Sequence, residues 1–445
     1  MLLLSSFAAT CAGAGPLVSH DDAARNGLHR AWFAQLPVNP QRSRVSSWYL
    51  YFDRLYGVTD SGIIAALDAE TGAELWVKQV GRHGYALFGP DANEKHLGVV
   101  SGSNLYLLDR NDGRLIWSRE LGSAPSSGPA LSANYAYVAL LTGRIEGYRL
   151  DDPRTQPWYY QSKGRTYLRP TTTGSVVSWP TAAGYLYVSD ANKPRVRFRM
   201  ETSDDIVTSP AAQGETLYIA SLDGYLYALH ERTGDEKWRY STGFAISSSP
   251  AIVGDQVFVA SLEPALHAID VKTGQGLWSA PGISHFAAKG ADRVYASDRY
   301  GNLLSLDAKT GRPLGGIATI QGMSTLVNDQ SNRIFLVNDR GLVQCLHEIG
   351  ADKPTMYRQP ISVTPPQDGA AAPAAGDATD APESPGDEPP AAAADEEPGM
   401  DPLDGDPLDV PEADVLGGEL PQGDELEQPM DDEPLPADDD DDPFN

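Results

Sequence analysis

The chain has 445 residues, of which 34 are Lys or Arg and 61 are Asp or Glu, so its formal net charge is -27 at pH 7. An acidic excess of this size repels a phosphate backbone and argues against nucleic acid as a partner. The two cysteines are too few for a disulfide-stapled scaffold or a cysteine-rich zinc module.

The chain begins with a short apolar stretch followed by small residues that end at Ala14. This pattern is typical of a secretory signal peptide, although no positive charge precedes the apolar run. We therefore predict a signal peptide over 1–14 and an N-terminal linker over 15–29. The alternative is an apolar N-terminus that is simply disordered. Cys11 could carry a lipid anchor, but Thr10 before it fits a lipidation motif poorly.

Between residues 30 and 350 the sequence repeats at intervals near forty residues. Each repeat has short runs that alternate apolar and polar residues, which predict strands, and Asp-Gly or Thr-Gly pairs, which predict tight turns. Four short strands in a repeat of this length form the blade of a β-propeller. One position of the predicted second strand recurs eight times and therefore indicates eight blades. Its residues are Tyr56, Gly98, Tyr137, Tyr187, Tyr218, Phe258, Tyr295 and Phe335.

A second marker recurs every 40 or 41 residues on the predicted outer strand. Its regular spacing makes chance periodicity very improbable and identifies the strand that ends each blade. The seventh repeat departs from the pattern and has Gly315 at this place. The aromatic residues at the marker are Trp76, Trp117, Trp158, Phe198, Trp238 and Trp278.

The fourth repeat also departs from the pattern. Only residues 190–195 separate the strand near Tyr187 from the outer strand at Phe198, which is too short for a third strand and its turn. We therefore predict that blade four is degenerate. The connection before it, over 162–174, is longer than its equivalents and either repairs the blade or projects as a loop.

The eighth repeat ends without an outer strand, and a suitable strand lies at the other end of the chain. Residues 30–36 contain Trp32 and resemble the outer strands of the other blades. Pairing this segment with the last blade would close the ring and remove exposed strand edges. The predicted fold is all-β: an eight-bladed β-propeller of four-stranded antiparallel blades over 30–350, closed by an N-terminal strand.

The C-terminal part of the chain has a different composition. Residues 365–445 contain 27 of the 61 acidic residues and no Lys or Arg, so the preceding residues are formally neutral. Such a segment cannot bury enough apolar surface to offset its ordering entropy, so we predict a disordered acidic tail after a linker over 351–364. We interpret the tail as a solubilising polyelectrolyte. The alternative is a docking segment whose apolar islands, such as 407–410, order on a partner.

The phrase Ala-x-Asp-x-x-Thr-Gly-x-x-x-Trp occurs over 66–76 and over 268–278. It resembles the tryptophan-docking repeat of the pyrroloquinoline quinone (PQQ) propeller superfamily, and the resemblance extends over about 30–350. It implies that the large aromatic side chain of each outer strand packs against the neighbouring blade. In this sequence those residues are Trp32, Trp76, Trp117, Trp158, Phe198, Trp238 and Trp278.

Two branches of this superfamily imply different functions. Quinoprotein alcohol dehydrogenases hold PQQ between a Trp and a disulfide of adjacent cysteines, and bind Ca²⁺ near a catalytic Asp. Cys11 and Cys345 are not adjacent, and no such metal site is recognisable. The chain is more similar to the non-catalytic propellers typified by lipoprotein B of the outer-membrane barrel-assembly machinery. We therefore expect no enzyme activity and no cofactor, with a PQQ-dependent dehydrogenase as the alternative.

No catalytic or metal-binding constellation stands out among the remaining polar residues. Four Asp residues lie just before the Gly of predicted hairpins and are expected to form turns, namely Asp60, Asp223, Asp298 and Asp339. His230 and His347 stand where other repeats have the Asp of the following turn, so we also predict turn roles for them. The histidines show no metal-ligand spacing, and no nucleophile elbow or phosphate-binding loop is present.

The central channel is the place where several blades could contribute to one site. Small hydroxyl side chains on its innermost strands are explained by the convergence of eight strands, and the alternative is a pore for a small polar ligand or a peptide. The candidate lining residues are Ser47, Ser127, Ser209, Ser249 and His285.

The predicted function is that of an exported, monomeric protein-interaction scaffold in the periplasm or cell envelope. By resemblance, its protein partners would be outer-membrane assembly factors. A propeller that senses a small ligand is the further alternative. No stretch of the sequence approaches the roughly 18 apolar residues of a transmembrane span.

Overall fold

The computed structural model describes residues 17–39, 41–81, 84–85, 87–193, 195–319 and 322–358. These residues form one short helix, α1 (His20–Arg25), and 32 strands in eight four-stranded antiparallel sheets. None of the described residues belongs to a helix long and apolar enough to cross a membrane. The signal peptide predicted over 1–14 and the tail predicted over 365–445 lie outside the described residues.

The first four blades follow one another along the chain, and each pairs its strands in sequence order. Blade one is β2 (Val45–Tyr51), β3 (Arg54–Thr59), β4 (Ile63–Asp68) and β5 (Glu74–Gln79), and blade two is β6 (Leu87–Ala92), β7 (His96–Ser101), β8 (Asn104–Asp109) and β9 (Leu115–Glu120). Blade three is β10 (Ala130–Leu131), β11 (Tyr135–Ala139), β12 (Arg144–Arg149) and β13 (Trp158–Gln161), and blade four is β14 (Thr171–Thr172), β15 (Val176–Pro180), β16 (Tyr185–Asp190) and β17 (Val196–Glu201).

The remaining blades continue in the same way until the last, whose fourth strand, β1, comes from the N-terminus. Blade five is β18 (Ala211–Gln213), β19 (Thr216–Ala220), β20 (Tyr225–His230) and β21 (Glu236–Ser241), and blade six is β22 (Ala251–Val253), β23 (Gln256–Ser261), β24 (Ala265–Asp270) and β25 (Gly276–Pro281). Blade seven is β26 (Ile283–Lys289), β27 (Arg293–Asp298), β28 (Leu303–Asp307) and β29 (Pro313–Ile317), and blade eight is β30 (Met323–Leu326), β31 (Ile334–Asn338), β32 (Leu342–Glu348) and β1 (Leu28–Gln35).

The predicted eight-bladed fold and its closure by an N-terminal strand are therefore confirmed. β1 pairs antiparallel with β32 from Leu28 opposite Glu348 to Gln35 opposite Leu342. Helix α1 precedes this strand, within the segment predicted as a linker, and Ser19 caps it by accepting a hydrogen bond from the Asp22 amide.

The prediction that blade four is degenerate is wrong. Tyr187 lies on the third strand, β16, and the second strand is β15, where Ser178 occupies the place of the aromatic residue. The second and third strands of this blade are both almost entirely buried and apolar, so an aromatic residue alone does not distinguish them in the sequence. The blade has all four strands, and the long connection before it leads into β14.

The recurring Asp-x-x-Thr-Gly phrase forms the turn between the third and fourth strands. In blade one the Asp68 carboxylate accepts hydrogen bonds from the Thr71 amide at 2.8 Å and the Thr71 hydroxyl at 2.7 Å. Gly72 follows at φ +72°, a conformation that side-chain-bearing residues rarely adopt. His230 serves the same turn in blade five, where its Nδ1 accepts from the Arg232 amide at 3.2 Å. His347 instead lies within β32, which continues into its pairing with β1.

The outer-strand aromatics contact the following blade. The indole N–H of Trp76 donates to the carbonyl oxygen of Arg110 at 3.1 Å, and its ring covers Gly113. The same donation recurs from Trp117 to Leu150, from Trp238 to Val271 and from Trp278 to Ala308, at 3.0 to 3.1 Å. The rings of Trp32, Phe198, Trp238 and Trp278 cover the turn glycines Gly72, Gly234, Gly274 and Gly311.

Two of the blade junctions differ from this arrangement. Trp158 packs on Tyr137 of its own blade at 5.7 Å, as other outer-strand Trp residues do, but the turn of blade four has no glycine for it to cover. Its indole nitrogen, like that of Trp32, has no hydrogen-bond partner among the described residues. Gly315 stands at the Trp position of blade seven, where an added Cβ would lie 2.8 Å from the Asn26 Oδ1 atom and would displace the Asn26 side chain. The glycine therefore makes space for the N-terminal segment as it enters β1.

Candidate functional site

The structure places the predicted channel residues in unequal surroundings. Ser47 is half-buried on β2, Ser127 is buried, and Ser209 is half-buried just before β18. Ser249 is exposed just before β22, and His285 is exposed on β26.

Two of these serines lie on either side of the connection into blade four. Ser127 of blade three donates its hydroxyl hydrogen bond to the Leu168 carbonyl oxygen at 3.2 Å. Ser209 of blade five donates to the Arg169 carbonyl oxygen at 3.0 Å. The neighbouring blades thereby fix the backbone that carries the Arg169 side chain.

A cavity of about 730 Å³ lies near the axis of the ring. It is at the end of the ring where the first strands of several blades finish. Blades one to five and blade eight contribute to its wall, together with the segment that follows blade eight. Ser209 is the member of the predicted channel set that lines it. Its polar side chains come from Tyr51, Asp91, Arg169, Thr171, Thr172, Thr173, Ser209, Gln213, Gln330, Tyr357 and Arg358.

Arg169 is the central polar group of this cavity. Its guanidinium donates to the Tyr51 hydroxyl oxygen and lies 5.3 Å from the centroid of the Tyr49 ring. Asp91 approaches it to 3.9 Å, while the Leu131 amide donates to the same carboxylate at 2.7 Å. The Tyr51 hydroxyl in turn donates to the Pro90 carbonyl oxygen at 2.8 Å. Blades one and two thus contact the cation directly, and blade three holds the Asp91 carboxylate beside it.

Burial determines the ionisation of this cluster. It raises the pKa of the Asp91 carboxyl, and the charge of Arg169 offsets part of that rise. Burial also raises the pKa of Tyr51 well above its ordinary value, so the hydroxyl stays protonated and able to donate. For Arg169, burial acts to lower the pKa, but the Tyr51 and Asp91 oxygens outweigh it and raise the pKa. Arg169 remains a cation.

A second ion pair lies at the C-terminal side of the cavity. The Arg358 guanidinium is 3.0 Å from the Asp329 carboxylate, and burial raises the pKa of Asp329. Gln330 beside it accepts a hydrogen bond from the Phe52 amide at 2.6 Å and donates to the Leu50 carbonyl oxygen at 2.8 Å. Blade eight and blade one are therefore bridged at the cavity wall.

Sequence reasoning missed Arg169, Asp91 and Tyr51. Arg169 lies in the long connection over 162–174, whose length was the available signal. Asp91 lies at an irregularity in the pairing of β6 with β7, between Phe88 and Asp91, which interrupts the strand alternation. No spacing in the sequence indicates that these residues meet.

The cavity does not fit PQQ as the quinoprotein dehydrogenases bind it. No Trp and no Cys occurs among the described residues that line it, so the ring could not be held between an indole and a disulfide. In the part of the chain that the structure describes, no group of three or more His, Cys, Asp or Glu side chains is placed to hold a metal ion. The one carboxylate on its wall, Asp91, is engaged with Arg169.

The opposite end of the ring carries a set of exposed apolar side chains. They lie on the hairpins between second and third strands and on the connections between blades, which share one face because the strands alternate in direction. Their exposed fractions range from 41% to 73%. This set, the apolar face, consists of Tyr85, Leu141, Tyr167, Val207, Phe244, Leu262 and Tyr300.

Comparisons with known proteins agree with this architecture. The family model described as outer membrane protein assembly factor BamB matches residues 49–155 and 154–350. No curated protein matches the chain. BamB from Moraxella catarrhalis is similar in structure, with a TM-score of 0.58, 18% identity and coverage of 72% of this chain and 97% of that chain.

Two further solved structures share the architecture without sharing its sequence. The computationally designed Ika8 protein has a TM-score of 0.56 and 15% identity, covering 70% of this chain and 98% of that one. The C-terminal WD40 domain of Sif2 has a TM-score of 0.56 and 12% identity, covering 72% and 98%. At such identities the likeness of these structures shows the fold alone.

The family model matches the sequence itself and therefore shows the family, which the solved structures do not. Its two matched segments run from blade one to the third strand of blade eight and include the repeated Asp-x-x-Thr-Gly turns and the outer-strand Trp residues other than Trp32. They cover more than half of the chain. The chain therefore belongs to the family of the outer membrane protein assembly factor BamB, a family of PQQ-like β-propellers.

Proposed function

We propose that the protein is a non-enzymatic scaffold of the cell envelope that binds protein partners during outer-membrane protein assembly. The observation that carries the proposal is the apolar face, seven exposed large side chains on one end of a propeller from this family. A concentration of exposed apolar side chains on one face of a domain is a feature of protein interaction surfaces.

The apolar face is favoured over the opposite end by the distribution of exposed side chains. At the opposite end, the exposed large apolar side chains on the described turns and loops are Val327, Ile349 and Met356, in blade eight and the segment after it, whereas Leu75, Leu115, Leu277 and Leu314 lie on outer strands. The apolar face instead draws on most of the ring. A partner docked there would contact several blades at once.

The loops of the apolar face are held in place before any partner arrives. The Leu262 amide donates to the Ala245 carbonyl oxygen at 2.8 Å, and the Leu141 amide donates to the Ala124 carbonyl oxygen at 2.9 Å. Each hairpin is thereby bonded to the adjacent blade connection. A surface ordered in advance loses less conformational entropy on binding.

The test is direct binding to a purified partner. The periplasmic domains of the outer-membrane assembly barrel from the same organism are immobilised, and binding is measured by biolayer interferometry. The triple variant Phe244→Ser, Leu262→Ser, Tyr300→Ser should bind at least about ten-fold more weakly, since truncating exposed anchors removes most of the binding energy. These side chains are exposed, so the fold should be retained.

Ile349→Ser, an exposed apolar residue on the opposite end, is the matched control and should bind like the unmodified protein. Equal loss in both variants, or no binding by the unmodified protein, would contradict the proposal.

The quinoprotein alternative is checked by titration with PQQ and Ca²⁺ while dye-linked alcohol oxidation is recorded. Saturable binding with turnover would replace the scaffold by an enzyme.

The proposal also includes location and assembly state. We expect the protein in the periplasm or bound to the envelope, as a monomer, and without nucleic acid. Cell fractionation and light scattering of the purified chain measure these properties. Recovery in the cytoplasmic fraction would contradict a role in outer-membrane assembly.

A further inference from the structure

The cavity on the inner side of the ring has unused hydrogen-bonding capacity. A guanidinium has five N–H donors, and the Arg169 side chain makes one hydrogen bond to a described residue, to the Tyr51 hydroxyl. Asp91 at 3.9 Å is beyond hydrogen-bond distance. Arg169 is therefore fixed in position with donors left over.

Arg358 repeats this situation on the wall formed by the end of the described chain. Its Nη2 lies 3.0 Å from Asp329, but without the alignment of a hydrogen bond. Nε and Nη2 are buried and have no hydrogen-bond partner among the described residues. Arg358 nevertheless lines the cavity, so its guanidinium adds a second positive charge to the wall, and a carboxylate would be attracted to it.

The hydroxyl groups of the cavity present the opposite chemistry. Thr171 donates to the Pro210 carbonyl oxygen at 2.6 Å, Thr172 to the Leu131 carbonyl oxygen at 2.9 Å, and Ser209 to the Arg169 carbonyl oxygen at 3.0 Å. Because their protons are used, these hydroxyls offer lone pairs to a ligand. They would accept hydrogen bonds from ligand hydroxyl or ammonium groups.

We infer that this cavity binds a small carboxylate that also carries hydroxyl or amino groups, with Arg169 and Arg358 taking the carboxylate and the hydroxyls of blades four and five accepting from the rest. The volume of about 730 Å³ is in the range of small-molecule sites. This inference goes beyond the scaffold role, because the cavity and the apolar face lie at opposite ends of the ring.

The test is isothermal titration calorimetry of the full chain at constant ionic strength. Glucuronate and glutamate are the probes, one a hydroxylated and the other an amino carboxylate. Glucose, which lacks the carboxylate, and succinate, which lacks the hydroxyl and amino donors, are the comparison compounds. At least one probe should bind saturably, and the comparison compounds should bind about ten-fold more weakly or not at all.

Arg169→Gln and Arg358→Gln should each weaken probe binding by about ten- to one-hundred-fold, the effect of losing a charged hydrogen bond. Arg340→Gln is the matched control, since Arg340 is exposed on a hairpin of the other face. Circular dichroism checks folding, and if Arg169→Gln does not fold, Arg358→Gln decides. Absence of binding by both probes, equal binding of succinate, or unchanged affinity in a folded Arg variant overturns the inference.

Discussion

Arg333 of blade eight holds Glu70 of blade one in a two-point ion pair, with Nη2 to Oε1 at 2.7 Å and Nε to Oε2 at 3.1 Å. The same guanidinium donates to the carbonyl oxygens of Ala351 and Asp352, both at 2.8 Å. Its side chain is 3% exposed. One buried cation therefore joins the first blade, the last blade and the segment that leaves the ring.

Replacing Arg333 by Ala should lower the free energy of unfolding by about 3 kcal/mol, because it removes a buried guanidinium and leaves two carbonyl oxygens and the Glu70 carboxylate without their donors. Glu70→Ala should cost less, since Glu70 is 44% exposed and water can replace part of the contact. Arg340→Ala, at an exposed position, should change stability by less than about 0.5 kcal/mol. Urea unfolding followed by tryptophan fluorescence measures all three. Equal effects at 333 and 340 would contradict the closing role.

The contact between Trp32 and Gly72 predicts that mutations of these two residues have non-additive effects on the free energy of unfolding. Gly72→Ala adds a methyl group that overlaps the Trp32 ring and also occupies φ +72°. We expect a loss of about 3 kcal/mol, the sum of overpacking and left-handed strain. In the Trp32→Ala background the overlap disappears, so the same change should cost about 1 kcal/mol.

Gly254→Ala is the matched control for this cycle. Gly254 has φ +62° and no atom within 4 Å of an added Cβ, so only backbone strain of about 1 kcal/mol is expected, with or without Trp32. The cycle is measured by denaturant unfolding of the single and double variants. Additive effects of Trp32→Ala and Gly72→Ala would show that the ring does not rest on the glycine.

The thiol of Cys345 should be unreactive in the folded protein. Cys345 is buried within β32, and burial raises the pKa of its thiol to about 12. At pH 8 the thiolate would then be on the order of one part in ten thousand. In a Cys11→Ser background, Ellman's reagent should give no fast reaction until denaturant is added. A rapid stoichiometric reaction under native conditions would place the thiol at the surface.

The buried Asp91 predicts a pH dependence of stability. Because its pKa is higher in the folded than in the unfolded protein, the folded state holds this proton more tightly. The associated stability is present below the ordinary value of 3.8 and is lost as pH rises through the raised folded value. Relative to Asp91→Asn, the unmodified protein should therefore lose stability as pH rises above 3.8.

Unfolding free energies between pH 3.5 and 7, measured at about half-unit steps for both proteins, test this. Asp292→Asn, at an exposed position, is the control for a change of charge. A difference between the unmodified protein and Asp91→Asn that stays constant, or that grows in favour of the unmodified protein, would show that Arg169 outweighs burial.

The eight-bladed ring could be predicted from the sequence because each repeat folds into a local unit. The Asp-x-x-Thr-Gly turn and the Trp that covers its glycine both recur at fixed distances along the chain, so their spacing reports the blade directly. Blade four was predicted wrongly because Tyr187 lies on a buried apolar third strand that resembles the second strands of the other blades. Gly315 could be located by spacing, but its reason, the approach of Asn26, depends on a contact across the chain ends.

The cavity depended on contacts that spacing does not report. Tyr51 and Arg169 are 118 residues apart and meet only because three intervening blade steps bring their inner strands round the same axis. The hydroxyl residues were found as a pattern, yet Ser209 lines the cavity while Ser249 is exposed before β22. The direction of a side chain on an inner strand depends on pairing irregularities that composition does not reveal.

The pairing of β1 with β32 sets the order in which the chain can fold. Leu28 pairs with Glu348, although nearly the whole propeller sequence lies between them. The first strand to be synthesised therefore has no partner until the last blade exists. Contacts this far apart in sequence slow folding, and an unpaired strand edge is open to wrong partners meanwhile. The final step is thus a single docking event, and a truncated chain lacking β32 would leave β1 as a free edge able to recruit a neighbouring molecule.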